Sequence, residues 1–208
     1  MKVLITGGAG YIGTELCRSL AKQEHITKIT VYDNLDRPNY NLFIGTRRPG
    51  YEKIEFVKGE LLDSRLLRSC LKEADVVYHL AAKVTTPFAD QNPHLFEQVN
   101  HWGTAELVYA VEETPNVKKL IYLSSASVYG SGTESVKVGS PLNPKTFYGI
   151  SKMRGEQHVE RLSGKKPVYI FRCGNVFGYS KSMRFDAVIN LFCFRAQMNQ
   201  KLRINGTG

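Results

Sequence analysis

The chain has 208 residues, 42% of them hydrophobic and 23% charged, with a formal net charge of +9. These proportions suit one well-filled core with room for only a small second lobe, and they exclude disordered and fibrous classes. No stretch approaches the ~20 apolar residues of a bilayer span, and the N-terminus lacks a signal-peptide cleavage pattern, so a cytoplasmic location without membrane contact is expected.

Lys2–Thr6 reads as a short apolar strand, and Tyr11–Lys22 as a helix with Ile12, Leu16 and Leu20 at helical spacing. Lys28–Tyr32 is a second strand ending at Asp33, and Lys53–Val57 a third. The polar loop between them, Leu35 to Tyr51, carries Pro38 and Pro49 and is expected to cover a ligand. A helix follows over Ser64–Leu71, a fourth strand over Asp75–Leu80, a long helix over Pro93–Glu112 and a fifth strand over Val117–Leu123. Thr146–Leu162 reads as a helix and Pro167–Arg172 as a sixth strand. Asp186–Asn199 is a further helix candidate, and Leu202-Arg203-Ile204 looks like a strand begun just before the sequence stops. Strands separated by helices need crossover connections, so the expected fold is α/β, a doubly wound parallel sheet of Rossmann type. The near-continuous apolar runs at 76–78 and 120–123 agree with strands covered on both faces. Residues 1–172 are expected to form the main domain, and 173–208 the start of a further, incomplete lobe.

Cys17, Cys70, Cys173 and Cys193 are widely spaced with no Cys-x-x-Cys pair, and the histidines are scattered. Neither a disulfide framework nor a metal site is expected, and the thiols read as small packed apolar groups. The positive charge favours anionic partners, but the densest basic groups, Arg47-Arg48 and Lys165-Lys166, are each only two long. A pyrophosphate-bearing substrate suits that field as well, and the charge does not choose among such partners.

Thr6-Gly7-Gly8-Ala9-Gly10-Tyr11-Ile12-Gly13 lies between the first strand and the first helix. It fits Gly-x-Gly-x-x-Gly through Gly8, Gly10 and Gly13, and Gly-x-x-Gly-x-x-Gly through Gly7, Gly10 and Gly13. Such glycines let the backbone turn tightly beside a pyrophosphate, which the free amides of the following helix then hold. Asp33 ends the second strand twenty positions after Gly13, where a carboxylate can bond the adenosine ribose hydroxyls. That carboxylate would repel a 2′-phosphate, so NAD is the expected cofactor; Arg37 keeps NADP open as a lesser alternative.

The chain resembles the extended short-chain dehydrogenases and, within them, the NAD-dependent epimerase/dehydratase family. The resemblance is carried by the glycine loop, Gly59-Glu60-Leu61, His79-Leu-Ala-Ala82, Asn100-x-x-Gly-Thr104, Ser124-Ser-Ala-Ser-Val-Tyr-Gly130, Tyr148-x-x-x-Lys152 and Arg172-x-x-Asn-Val-Phe-Gly178. It implies cofactor contacts at Gly7, Gly10, Tyr11, Ile12, Gly13, Asp33, Asn34 and Leu35, at Glu60 and Leu61 by the adenine, and at Leu80, Ala81, Ala82 and Lys83. It places Asn100 and Ser124 near the cofactor as well. Thr85, Ser125 and Asn175 are the implied substrate contacts, although Asn175 reads nearly as well as a buried asparagine capping a turn.

A Tyr-x-x-x-Lys spacing proves little in a chain with 11 tyrosines; its position is what counts. It opens the helix after strand five, and Ser125 ends that strand, where ligands bind in such sheets. Tyr148 and Lys152 are one helical turn apart and share a face. A lysine ammonium and a positive nicotinamide ring would both favour the phenolate of Tyr148, the implied base, while Ser125 holds the reacting hydroxyl. Lys152 is implied to contact the cofactor too. The dehydratases of the family carry an Asp-Glu or Ser-Glu pair after the serine or threonine; here Ala126 and Ser127 stand there. The segment therefore looks like the 4-epimerases, which need only oxidation, rotation and reduction at C4. The expected function is an NAD-dependent nucleotide-sugar 4-epimerase acting as a homodimer through the helices Pro93–Glu112 and Thr146–Leu162. A related dehydrogenase, reductase or dehydratase is the alternative within the family, and a non-catalytic NAD-sensing or nucleic-acid-binding protein the alternative from another class.

Overall fold

The computed structural model describes residues 1–44, 49–84, 91–132 and 135–204. Thr85 and the pair Arg47-Arg48 lie outside the described residues. Six parallel strands run β1 (Lys2–Thr6), β2 (Lys28–Asp33), β3 (Ile54–Lys58), β4 (Val76–His79), β5 (Lys119–Ser125) and β6 (Val168–Cys173). Their order across the sheet is β3-β2-β1-β4-β5-β6, so the doubly wound expectation holds. The helices are α1 (Tyr11–Ala21), α2 (Ser64–Leu71), α3 (Pro93–Phe96), α4 (Gly103–Glu112), α5 (Phe147–Glu160) and α6 (Val188–Gln197).

Alternation along each strand divides the core between the two faces of the sheet. Val3 and Ile5 pack with Cys17, Ala21 and Ile29 under α1, while Leu4 joins Leu67, Leu107 and Val159 under α2, α4 and α5. Asp63 caps α2 by accepting from the amide of Leu66 at 3.0 Å, and Thr146 caps α5 by accepting from that of Gly149 at 3.0 Å.

Three expectations need correction. The long helix over Pro93–Glu112 is interrupted by a π-helical turn, Glu97–Trp102, which separates α3 from α4. The turn places Asn100 against the loop after β4, where hydrogen bonds on both edges of its amide hold it. Leu202-Arg203-Ile204 forms no strand and lies exposed, since a run so short has no ladder without a neighbour to pair with. The cysteines are all free, but only Cys17 is fully packed away; Cys193 is exposed, on the outer side of α6.

The chain beyond β6 folds back over the start of α1. Tyr11 donates its hydroxyl to the carbonyl of Gly178 at 2.6 Å, Thr14 donates to Ser182 at 2.7 Å, and Ser180 donates to the carbonyl of Tyr11 at 2.8 Å. Buried Asn190 donates to the Tyr11 hydroxyl at 3.1 Å and accepts from the amide of Gly178 at 3.0 Å. The other basic pair is structural: Lys165 bonds Glu112, and Lys166 donates to the carbonyls of Thr114 and Val117. Among the described residues no helix is long and apolar enough to cross a membrane.

Candidate active site

The strand order reverses between β1 and β4, and the cleft opens at the carboxyl ends of these strands, where open α/β sheets bind ligands. At that point Thr6 and His79 face each other in register. His79 is fully buried between Thr6 Oγ1 at 2.7 Å and Thr104 Oγ1 at 2.8 Å. Thr104 spends its own proton on the carbonyl of Asn100 at 2.7 Å. It therefore accepts from His79 Nε2–H, leaving Nδ1 to accept from Thr6, which fixes a neutral imidazole. Burial, reinforced by the Lys152 charge, pushes His79 down to about 3. Because the folded value lies below the unfolded one, this stabilisation is complete above about pH 6.5 and is lost as pH falls from there towards 3. We expect His79→Asn to shrink the difference in urea-unfolding free energy between pH 7 and pH 5 by about 2 kcal/mol. An unchanged difference would remove His79 from the acid response.

The cleft encloses about 1010 Å³. Gly7, Gly10, Tyr11, Ile12 and Gly13 line it from the β1–α1 junction, and Asp33 and Asn34 from the end of β2. Glu60 and Leu61 line it after β3, and Leu80, Ala81, Ala82 and Lys83 after β4. Gly7 holds φ +70°, and a Cβ there would lie 2.5 Å from the amide nitrogen of Ala81, so only glycine lets these two loops meet. Gly10 caps α1 without a side-chain bond, and the first turn of α1 carries no acid. Its amides and dipole end are thus left to a ligand. Asp33 accepts from the amides of Ala9 at 3.1 Å and Leu35 at 2.9 Å. Burial raises its pKa, against the lowering effect of those two bonds. Glu60 accepts both bonds of the Asn34 amide at 3.1 Å.

Ser124, Ser125, Tyr148 and Lys152 line the cleft from β5 and α5. They meet because α5 runs close to the short turn Ala126–Tyr129: a Cβ on Gly149 would lie 2.7 Å from the carbonyl oxygen of Ser127. Ser125 Oγ donates to Ser127 Oγ at 3.1 Å and accepts from the Ser127 amide at 3.2 Å. Lys152 is 2% exposed, its ammonium 4.3 Å from the centre of the Tyr122 ring, and it makes no hydrogen bond among the described residues. Burial pulls its pKa down to about 7, with Glu156 and then Cys173 acting the other way. Tyr148 differs from expectation. Burial raises its pKa, and the Ser125 hydroxyl and the Arg184 cation only partly offset this. The protein alone thus keeps the phenol protonated.

Of the implied cofactor residues, Leu35 does not line the cleft, and Asn100 stands one residue behind it, as the resemblance implies. Leu35, at φ 56°, packs into the core under α1. Asn100 is fully buried and acts through Lys83, accepting from its amide at 2.7 Å and donating to its carbonyl at 2.9 Å. Asn175 lines the cleft and is exposed, so the buried turn-capping alternative does not apply. The sequence reading missed Cys173, Arg184 and Asp186, which also line it. Cys173 stands beside Ser125 in the β5–β6 register, a relation visible only once the strands are paired. Asp186 Oδ1 accepts from Arg37 at 3.1 Å and Arg184 at 3.0 Å, so the arginine that left NADP open is engaged across the cleft.

A parallel sheet in this order, with a glycine loop at its switch point and a Ser–Tyr–Lys set one strand away, is the arrangement of the short-chain dehydrogenase class. Within that class, a sequence model of the NAD dependent epimerase/dehydratase family matches residues 3–208, and the chain belongs to this family. It is 34% identical to a dTDP-D-glucose 4,6-dehydratase from Dictyostelium discoideum, over 100% of this chain and 50% of the relative. A UDP-N-acetylglucosamine 4-epimerase from Methanobrevibacter ruminantium superposes with a TM-score of 0.86 at 27% identity, over 100% of this chain and 66% of that one. A dTDP-glucose 4,6-dehydratase from Streptomyces venezuelae, solved with NAD bound, superposes with a TM-score of 0.84 at 26% identity, again over 100% and 66%. The chain spans about half the length of the curated relatives it matches. NAD is the family's cofactor, and the residues here fit it. Besides the uncapped α1 amides, the ammonium of Lys152 and the buried hydroxyl of Ser124 have no hydrogen-bond partner among the described residues.

Proposed function

We propose that the protein is a nucleotide-sugar 4-epimerase using NAD. The carrying observation is the set of described side chains around Tyr148: Ser125, Ser127, Lys152, Cys173 and Arg184, with no carboxylate among these described residues. The described carboxylates lining the cleft are Asp33, Asp36 and Glu60, after β2 and β3, and Asp186, tied to two arginines. Removing a C5 proton and expelling a C6 hydroxyl needs a positioned acid and base. Inversion at C4 needs one proton taken from and returned to a single oxygen.

In this reading Ser125 holds the C4 hydroxyl, and Tyr148 takes its proton and gives it back. Lys152 donates into the cleft towards the cofactor ribose and favours the phenolate of Tyr148 once positive charge stands nearby. NAD supplies the reversible hydride acceptor. Asn175 and Thr85 contact the nucleotide-sugar, and residues 173–208 begin the lobe that carries it. The protein pairs with a second copy through the turn Glu97–Trp102 with α4 and through α5, where Trp102 is exposed beside the His101–His158 stack. Following UDP- and dTDP-hexoses with NAD by NMR tests the reaction: the C4 epimer is expected, and a 4-keto-6-deoxy product would make the protein a dehydratase.

Asp33 should also discriminate between cofactors. NAD is expected to bind at least about tenfold more tightly than NADP, because a 2′-phosphate would face a carboxylate. Asp33→Asn should narrow that gap in a fluorescence titration. Equal affinities in the parent protein would mean that Arg37 governs the choice.

A further inference from the structure

A second ionic unit lies directly behind the Tyr–Lys pair. Glu156 follows Lys152 by one turn of α5, and its side chain is 1% exposed. Its carboxylate accepts from Arg172 Nε at 3.0 and 3.2 Å and from Arg172 Nη2 at 2.8 Å. Arg172, near the end of β6, donates its remaining edge to the hydroxyl of Tyr129 at 2.8 Å and the carbonyl of Val138 at 3.0 Å. Tyr129 closes the short turn that starts after Ser125. One guanidinium therefore joins the turn after Ser125, the helix of Tyr148 and Lys152, and the strand that ends at Cys173.

Among the described residues, the titratable and charged groups facing Lys152 come from four elements. His79 is on β4, Tyr122 on β5, Tyr148 and Glu156 on α5, and Cys173 on β6, with Arg172 behind the Glu156 carboxylate. Glu156 is the one carboxylate among them. A buried ammonium without hydrogen bonds needs such a countercharge, or it gives up its proton.

We propose that Glu156 is a positioning residue for Lys152: an occluded carboxylate, locked by Arg172, that keeps the lysine charged while leaving all its hydrogens for the cleft. A direct Glu156–Lys152 salt bridge would have used up those donors. Holding the carboxylate in the arginine's fork supplies the field without the bond. The inference rests on the reading of Lys152 as an ammonium serving the cofactor, but its test needs no turnover.

The experiment is a pH titration of the Lys152 side chain by NMR in protein carrying 13Cε-labelled lysine, the signal being assigned as the one lost in Lys152→Met. Glu156→Gln is expected to lower the Lys152 midpoint by about one pH unit or more, because it removes the anion and leaves Arg172 uncompensated. The double variant Glu156→Gln with Arg172→Met removes both charges and should lower it by a smaller amount. It also carries the test if the single variant does not fold. A folded variant of either kind that titrates at the parental midpoint would overturn the proposal and leave the pair a structural tie. Absence of epimerisation together with a lowered midpoint would instead reject the catalytic reading and keep this one.

Discussion

Replacing Tyr148 by phenylalanine should leave NAD affinity nearly unchanged and cut sugar interconversion by at least about 10²–10⁴-fold. The substitution removes one oxygen and keeps the ring, whose edge-to-face contact with Phe96, 6.3 Å between centroids, holds the start of α5. The loss should be smallest on the acid side of the pH profile and grow as pH rises. Burial raises the pKa of the parent phenol, so the active anion is scarce there without help from bound positive charge. NMR of the sugar pool, alongside absorbance of any NADH formed, separates the two halves of the expectation. If the phenylalanine variant turns over a substrate of the parent at a near-normal rate, Tyr148 is a bystander. A non-catalytic NAD-binding role would then be the better account of the cleft.

Lys152→Met should act in opposite directions on stability and on cofactor binding. The ammonium is buried with no hydrogen bond among the described residues, and its pKa is pulled from 10.5 to about 7 by burial. A group whose proton is less welcome in the folded state costs stability wherever it stays protonated. The cost is complete below about pH 7 and fades as pH rises towards 10.5. At roughly 1.4 kcal/mol per pKa unit, the methionine protein should be more stable than the parent by on the order of 5 kcal/mol at pH 6, with the gap narrowing as pH rises through 8 and beyond. Glu156 keeps Arg172 as partner, so the substitution orphans no carboxylate. NAD should bind the variant more weakly. Urea unfolding at two pH values, with a cofactor titration, checks both. A variant less stable than the parent at pH 6 would show that the cation–π contact with Tyr122 outweighs the burial cost.

The regular part of the molecule was legible because its signals are local. Short apolar runs marked all six strands, and a twenty-residue interval put Asp33 at the end of β2 beside the glycine loop. Ser125, Tyr148 and Lys152 fell at element ends that the topology converts into one cleft. What escaped depends on relations that a linear pattern does not carry. Leu35 packs against the core at a positive φ, a state that leucine gives no cue for. The tie between Arg37 and Asp186 joins residues 149 positions apart. Tyr11 was read as a cofactor contact from its place in the glycine loop, and it does line the cleft, yet its hydroxyl is committed to Gly178 and Asn190. The expected strand at Leu202–Ile204 rested on three residues, too few to distinguish a strand from an exposed tail.

The wide turn Glu97–Trp102 amounts to one surplus residue in a helix that would otherwise run from α3 into α4. Each residue of an α-helix advances the direction of its side chains by about 100°. Deleting a single position here would let the helix close up and swing everything on its upstream side by that angle. Asn100 would leave both Lys83 and Ser151, while Thr104, beyond the turn, kept its place under His79. The loop after β4 would then lose its pin although no cleft-lining side chain had been replaced. Grafting this helix from a relative, or aligning two family members across it, is therefore sensitive to a gap of one residue in a way that a substitution table does not show.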